Sequence, residues 1–401
     1  MKYLVILGDG MADRPIESLG GKTPLEYAST PKMDELSRKG EVGMVHTIPD
    51  GMKPGSDTAN LSVLGYNPRQ YYSGRSPLEA LSIGVPMKDT DIALRCNIVT
   101  LSEEEAVFEE RHILDHSSGE ISTEECTVLL DAVRQELETE EFRFYAGTSY
   151  RHCLIWDQGE AAELVQPHDV LGQVIGDKLP ENPKLRDMMK RSYEILASHP
   201  INQKRKEQGL NPANCCWFWG AGTKPALFPF AEKTHKTGAM ISAVDLLKGI
   251  AVGTSMKVIT VEGANGGLNT NYEGKAQAAI DVLTKENYDF VYVHLEGPDE
   301  MGHQGSVEKK VKAIENLDAR IIRPIVEGLE KAGEDFRMVI LPDHPTPICL
   351  RTHTADNVPY LLYDSTRIQD HGWHYNEREA ETTGFFIPEG HKLIDKLFNT
   401  I

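Results

Sequence analysis

A chain of 401 residues, 40% of them hydrophobic, can bury a large core and exceeds the usual domain size of roughly 100–200 residues, so about two domains are expected. Its 42 Lys and Arg against 61 Asp and Glu leave a net charge of −19, which repels nucleic acid and anionic membrane surfaces, so any anionic ligand must be drawn in by a local site. Six cysteines without C-x-x-C spacing argue against a zinc knuckle or disulfide framework and fit a reducing cytoplasm, and no apolar run reaches the length of a membrane span or signal sequence.

In chain order, the first element is the continuous apolar run Tyr3 to Leu7, which closes on Gly8-Asp9-Gly10. Thr30-Pro31 opens a helix, with threonine as N-cap and proline at the first helical position, and Gly40 ends it. In KPGSDTANLSVLGY, Gly55 permits a tight turn and Asp57 to Leu64 reads as the start of a helix. Ser56 then sits at the positive end of a helix, where phosphate is held well; an ordinary N-cap serine is the plainer alternative. Between residues 96 and 225 the texture changes, with acidic clusters Glu103 to Glu105, Glu109-Glu110 and Glu138 to Glu141, and Cys215-Cys216-Trp217-Phe218-Trp219 near the end. That length is too great for a loop, so it reads as a smaller α+β domain, residues 96–225, inserted into a core domain formed by 1–95 and 226–401. The acidic clusters read as solvated helix faces.

Three further β-branched runs follow: Lys257 to Val261, Phe290 to Leu295 and Arg337 to Leu341. Continuous rather than alternating apolar character marks a strand covered on both faces, so these and the first run are expected as central strands of a mostly parallel sheet. Ser306 to Lys331 carries Val307, Val311, Ile314, Leu317, Ile321, Ile325 and Leu329 at helical spacing, with a kink expected at Pro324. Strand alternating with helix gives an open α/β sheet sandwiched by helices.

The strand ends share a pattern. Asp9 follows the first strand; Asp299 and, one helical turn on, His303 follow the third; Asp343-His344 follow the fourth, with His353 shortly after. Ligands of an open α/β sheet gather beyond the carboxyl ends of its strands, so these residues can share one rim. Three carboxylates there raise one another's pKa unless cations sit between them. With three imidazoles they make six candidate ligands, enough for two divalent ions at the roughly 3.5–4 Å spacing used for displacement at phosphorus. Carboxylate with imidazole suits manganese or zinc, with magnesium a further candidate. A hydroxyl beside such ions is acidified, which makes Ser56 a nucleophile rather than a cap. Three aspartates, a serine alkoxide and two divalent ions then sum to zero charge.

On these residues the chain resembles the alkaline phosphatase superfamily and, within it, the cofactor-independent phosphoglycerate mutases of the archaeal type. ILGDGMADRP, PGSDTANLSVLGYNP, NTNYEGKAQAA, EGPDEMGHQG, LPDHPTP and RTHTADNVP occur in the family's order over nearly the whole chain. The resemblance implies an alkaline-phosphatase-like sheet, one metal ion held by Asp299, His303 and His353, another by Asp9, Ser56, Asp343 and His344, and a phosphoserine at Ser56. It also implies a small phosphorylated metabolite as ligand, interconversion of 3- and 2-phosphoglycerate, and no need for 2,3-bisphosphoglycerate. Cations of the insertion would grip the substrate carboxylate and close over the site: Arg95 and Arg151 first, then Lys224, with Lys236 just beyond. Two departures stand out. A histidine usually ends the segment that here reads Ser56 to Asn60, so Asn60 stands at a substrate-facing position without that proton donor or phosphate contact. An arginine-rich stretch of the insertion is replaced by LDHSSGEIS, residues 114–122. Fewer arginines fit an amino acid alcohol, which makes a homoserine kinase-like phosphotransferase the alternative, although no Walker-type loop is present. A plain phosphomonoesterase would share the metals and Ser56 without a lid, and the C-x-P-x-R signature of sulfatases is missing. Oligomeric state is not encoded in these motifs.

Overall fold

The computed structural model describes residues 1–399, and among them runs a series of strands: β1 (Lys2–Gly8), β2 (Glu41–Val45), β3 (Asp91–Leu101), β4 (Ile113–Asp115), β5 (Phe142–Tyr145), β6 (Arg151–Asp157), β7 (Cys215–Thr223), β8 (Gly238–Ile241), β9 (Lys257–Ile259), β10 (Phe290–Leu295), β11 (Phe336–Leu341), β12 (Val358–Asp364) and β13 (Phe386–Ile387). They fall into two units, one built from Met1–Tyr72 and the chain from Ala226 onward, the other from Ser73–Pro225. No helix among the described residues is long and apolar enough to cross a membrane.

In the first unit the strand order is β13-β2-β12-β11-β1-β10-β8-β9. β1 pairs in parallel with β10 and β11, and β8 joins β10 to β9 in the same sense. β12 runs antiparallel to both β11 and β2, so two reversals leave β2 pointing the same way as β1. Leu4 and Ile6 pack with Ile314, Leu317 and Ile321 on one face, while Val5 and Leu7 point to the other face and are equally buried. This double burial is why the run is apolar throughout rather than at every second residue.

Of the four runs read as central strands, β1, β10 and β11 are central. Lys257–Ile259 is instead the edge strand, exposed at its first residue and half-buried after it. The sheet also contains β2, β8, β12 and β13, whose sequences carry weaker signals: β8 is Gly-Ala-Met-Ile, β12 includes Pro359 and β13 has two residues.

In the second unit β3 is the spine of an antiparallel sheet, paired with β6 on one side and β7 on the other, with β4 at its end and β5 beside β6. All of β3 and the helix Arg75–Ser82 packed against it belong here, so the boundary falls after Tyr72 and not at residue 95. A strand hydrogen-bonded along both edges cannot be divided between units. Four of the clustered acids form ion pairs within the unit: Glu103 with Lys206, Glu105 with His112, Glu138 with Arg134 and Glu141 with Lys184.

The long helix expected over 306–331 is a helix Val307–Leu317, a π-helical turn Asp318–Ile322 and a helix Arg323–Ala332. The wide turn ends just before Pro324, which has no N–H to continue the regular ladder. Within it the buried Asp318 carboxylate accepts from Met33 N at 2.6 Å and Lys32 N at 3.2 Å, at the start of the helix Pro31–Lys39. Thr30 makes no side-chain cap there, so the cap comes from across the fold. Asp318→Ala should leave both N–H groups without an acceptor and cost about 2 kcal/mol. A calorimetric midpoint below that of the parent protein is the expected result; an unchanged midpoint contradicts this capping role.

Candidate active site

The parallel register aligns Gly8 with Leu295 and Leu7 with Leu341, so whatever follows β1, β10 and β11 leaves the sheet at one edge. Asp9 follows β1, the helix Gly297–His303 follows β10, and Asp343-His344 follow β11. β2 sends the chain toward Ser56 from that same edge. β12 runs the opposite way and starts there, just after His353. Gly10 adopts φ 61°, and a Cβ on it would lie 2.5 Å from Thr346 Oγ1 and 2.6 Å from Asp299 Oδ1. Only glycine lets these segments close to this distance.

Ser56 is the first residue of the helix Ser56–Val63, with Gly55 as N-cap, and its side chain caps nothing. Its Oγ lies 3.0 Å from His344 Nε2 and 3.5 Å from Asp9 Oδ2. His344 Nε2 is 3.5 Å from Asp9 Oδ1 and 3.4 Å from Asp343 Oδ2. On the other side, Asp299 lies 3.3 Å from both His303 Nε2 and His353 Nε2, and those two nitrogens face each other at 2.9 Å. His303 Nδ1 donates to the Arg351 carbonyl at 2.9 Å, which aims Nε2 inward.

Electrostatics separates the acids. Two unit charges about 4 Å apart at an effective dielectric of about 20 repel by about 4 kcal/mol. Burial, followed by the negative charge of Asp343, Asp299 and Glu296, pushes the Asp9 carboxyl well above its usual range. Burial opposes ionisation of Asp299 too, but hydrogen bonds from His303 and His353 outweigh it and hold that carboxyl well below the usual range. The same bond to Asp299 raises His303 to about 9. Burial lowers His344. Asp9 Oδ1 is buried without a hydrogen-bond partner. An orphaned carboxylate oxygen, three crowded acids and two imidazole nitrogens face to face form a donor set suited to divalent cations. The tightest convergent sets are Asp9–Asp343–His344 and Asp299–His344–His353, with all ligand atoms of a set within 4.8 Å of one another.

Thus Asp9, Ser56, Asp299, His303, Asp343, His344 and His353 lie together. Other residues named from sequence are placed differently. Asn60 is not substrate-facing: it is fully buried, donating to the Ser56 carbonyl and to Asp343 Oδ2 at 2.8 and 2.9 Å and accepting from Tyr292. Lys236 precedes β8, whose first residue pairs with the first residue of β10, so it lies at the opposite end of the sheet, over the rings of Tyr3 and Phe398. In the second unit, Lys224 pairs with Asp89 at 3.1 Å. Arg95 is stacked on Trp219 and bound to Glu79 at 2.9 Å with its side chain only 13% exposed, whereas Arg151 is exposed.

Several residues escaped sequence reasoning. His294, at the end of the apolar run of β10, joins Asp9 Oδ2 at 2.8 Å and Ser242 Oγ at 3.1 Å, and burial lowers it to about 4. A histidine inside a wholly buried strand was the available signal. Lys275, in NTNYEGKAQAA, is buried, donates to the His294 carbonyl at 3.1 Å and is lowered to about 8 by burial.

A family model described as 2,3-bisphosphoglycerate-independent phosphoglycerate mutase matches residues 37–202. The 2,3-bisphosphoglycerate-independent phosphoglycerate mutase of Methanosarcina barkeri is 48% identical over 400 residues, 98% of each chain. Among solved structures, a protein of Pyrococcus horikoshii is similar at a TM-score of 0.82 and 32% identity, over 100% of this chain and 98% of its own. The cofactor-independent phosphoglycerate mutase of Thermoplasma acidophilum is similar at 0.66 and 27% over the whole of both chains.

A divalent cation entering this cluster must displace the proton that Asp299 holds on His303, near pH 9. Apparent Mn²⁺ affinity should therefore climb as pH rises toward 9 and level off above it. Calorimetry at pH 7 in buffers of different ionisation enthalpy should report at least one proton released; pH-independent binding without proton release contradicts the arrangement.

Proposed function

The chain belongs to the 2,3-bisphosphoglycerate-independent phosphoglycerate mutases, and we propose that it interconverts 3-phosphoglycerate and 2-phosphoglycerate with Ser56 carrying the phosphoryl group between the two oxygens. The observation behind this role is the Ser56 hydroxyl itself: uncapped, at the positive end of a helix, and within 3.0–3.5 Å of His344 and Asp9. Divalent ions held by Asp9, Ser56, Asp343 and His344 on one side and by Asp299, His303 and His353 on the other would neutralise the phosphoryl oxygens and acidify the serine hydroxyl, manganese and zinc suiting the donors best.

In the first half-reaction Ser56 Oγ bonds to phosphorus as the bond from phosphorus to the 3-oxygen of glycerate breaks, and the serine proton ends on that oxygen. The glycerate then turns over in place. Its 2-oxygen bonds to phosphorus as the bond to Ser56 breaks, and the 2-hydroxyl proton returns to serine. The phosphoryl group comes from the substrate itself, so no bisphosphoglycerate is required. Asn60 and His294 touch no substrate in this scheme; they hold Asp343 and Asp9 in place.

Ser56→Ala should abolish both the covalent phosphoenzyme and mutase turnover, by about 10⁴-fold or more. Phosphorus NMR of the Mn²⁺-loaded protein with 3-phosphoglycerate reads both, and a phosphoenzyme that persists in the variant contradicts the assignment.

A further inference from the structure

Lys310 has no part in the chemistry above, yet its side chain is wholly buried on the helix Val307–Leu317. Its Nζ meets Asp13 Oδ2 at 2.8 Å, the Thr346 carbonyl at 2.8 Å and the Ala12 carbonyl at 3.3 Å. Three acceptors use all three donors of an ammonium. They lie on two segments: Ala12 and Asp13 on the stretch leaving β1 through Asp9, Thr346 on the stretch leaving β11 through Asp343 and His344. Around the ammonium the segments are joined again, by Thr346 N to the Ala12 carbonyl at 3.3 Å and by Ile348 N to the Asp13 carboxylate at 3.1 Å.

Thr346 carries this constraint inward. Its Oγ1 donates to Asp299 Oδ1 and lies 3.3 Å from His344 Nδ1. With its one proton given to Asp299, the hydroxyl can only accept from Nδ1–H, which leaves His344 Nε2 as the bare nitrogen facing Ser56, Asp9 and Asp343. One hydroxyl thus orients a ligand in each of the two convergent sets. Stability does not explain the ion pair beneath it, because burying two charges costs several kcal/mol per ion and an apolar pair of similar volume is often at least as stable.

We infer that Lys310 is a positioning residue of the ligand cluster. Paired with Asp13, it locks Thr346, and through Thr346 it sets the orientation of Asp299 and His344, the affinity for divalent cations and the rate of the chemical step. The inference rests on the reading of this rim as a divalent-cation site.

The test compares the full-length parent protein with three variants. Lys310→Met combined with Asp13→Asn removes both charges at nearly constant volume and strands neither. Thr346→Val removes only the hydroxyl, and Thr346→Ser restores it. Each metal-free protein is titrated with Mn²⁺ by calorimetry, and kcat and KM are measured separately. The parent should bind Mn²⁺. The double variant and Thr346→Val should bind it about 10–100-fold more weakly and show lower kcat with KM nearly unchanged, while Thr346→Ser keeps the parental affinity. Parental Mn²⁺ affinity in Thr346→Val, or in a folded double variant, overturns the inference and leaves the cation site standing. A parent protein that binds no Mn²⁺ overturns both. Should the double variant not fold, the contrast between valine and serine at position 346 decides the matter by the same criterion.

Discussion

Three carboxylates crowded at one end of a parallel sheet cannot all be ionised in a buried place unless positive charge sits among them. The protein meets this constraint unequally. Asp299 is kept ionised by two imidazoles, whereas Asp9, whose near neighbours add to its negative surroundings, is pushed toward protonation and keeps an oxygen without a partner. Such a cluster is costly as an empty feature of a fold. The same field that repels a third acid attracts divalent ions, and divalent ions in turn attract phosphoryl oxygens. The overall charge of −19 makes the point sharper, since nothing but a local cationic centre could draw in an anionic substrate.

What the frame contributes is position. Parallel pairing brings the ends of β1, β10 and β11 to a common edge within one residue of register, and the glycine at position 10 lets their continuations meet. Behind four of the candidate ligands stands a second group with a fixed direction: Asn60 behind Asp343, His294 behind Asp9, Thr346 behind Asp299, and the Arg351 carbonyl behind His303. Such outer contacts orient ligands and tune their basicity, and their removal typically costs 10–100-fold in metal affinity or activity. The separation of roles also explains why a residue as near to Ser56 as Asn60 has no donor left for substrate.

The parts legible in the sequence were those where one physical demand dominates. Double-sided burial makes β1, β10 and β11 read as unbroken apolar runs, and the acids and imidazoles follow directly on their ends. The helix after Gly55 announced Ser56. Less legible were elements whose identity depends on tertiary pairing. Lys257–Ile259 has the composition of a central strand but lies at the edge; β8 and β12 hide behind glycine, alanine and proline. The boundary at Tyr72 was missed because the pairing partners of β3 lie some fifty and over a hundred residues further along the chain, at 151–157 and 215–223. Cations were the hardest to place. Lys224, Lys236, Arg95 and Arg151 look alike in one dimension, and only their neighbours, an aspartate, two rings, a glutamate with a tryptophan ring, or the single ring of Tyr150, tell them apart.

The most direct measurement is anomalous diffraction from crystals of the protein grown with Mn²⁺. The account predicts two anomalous peaks about 3.5–4 Å apart at the carboxyl edge of the sheet. One should be within ligand distance of Asp9, Asp343 and His344, and the other within ligand distance of Asp299, His303 and His353. Peaks elsewhere on the molecule, or an edge bare of manganese with these side chains bonded only to one another, would contradict it.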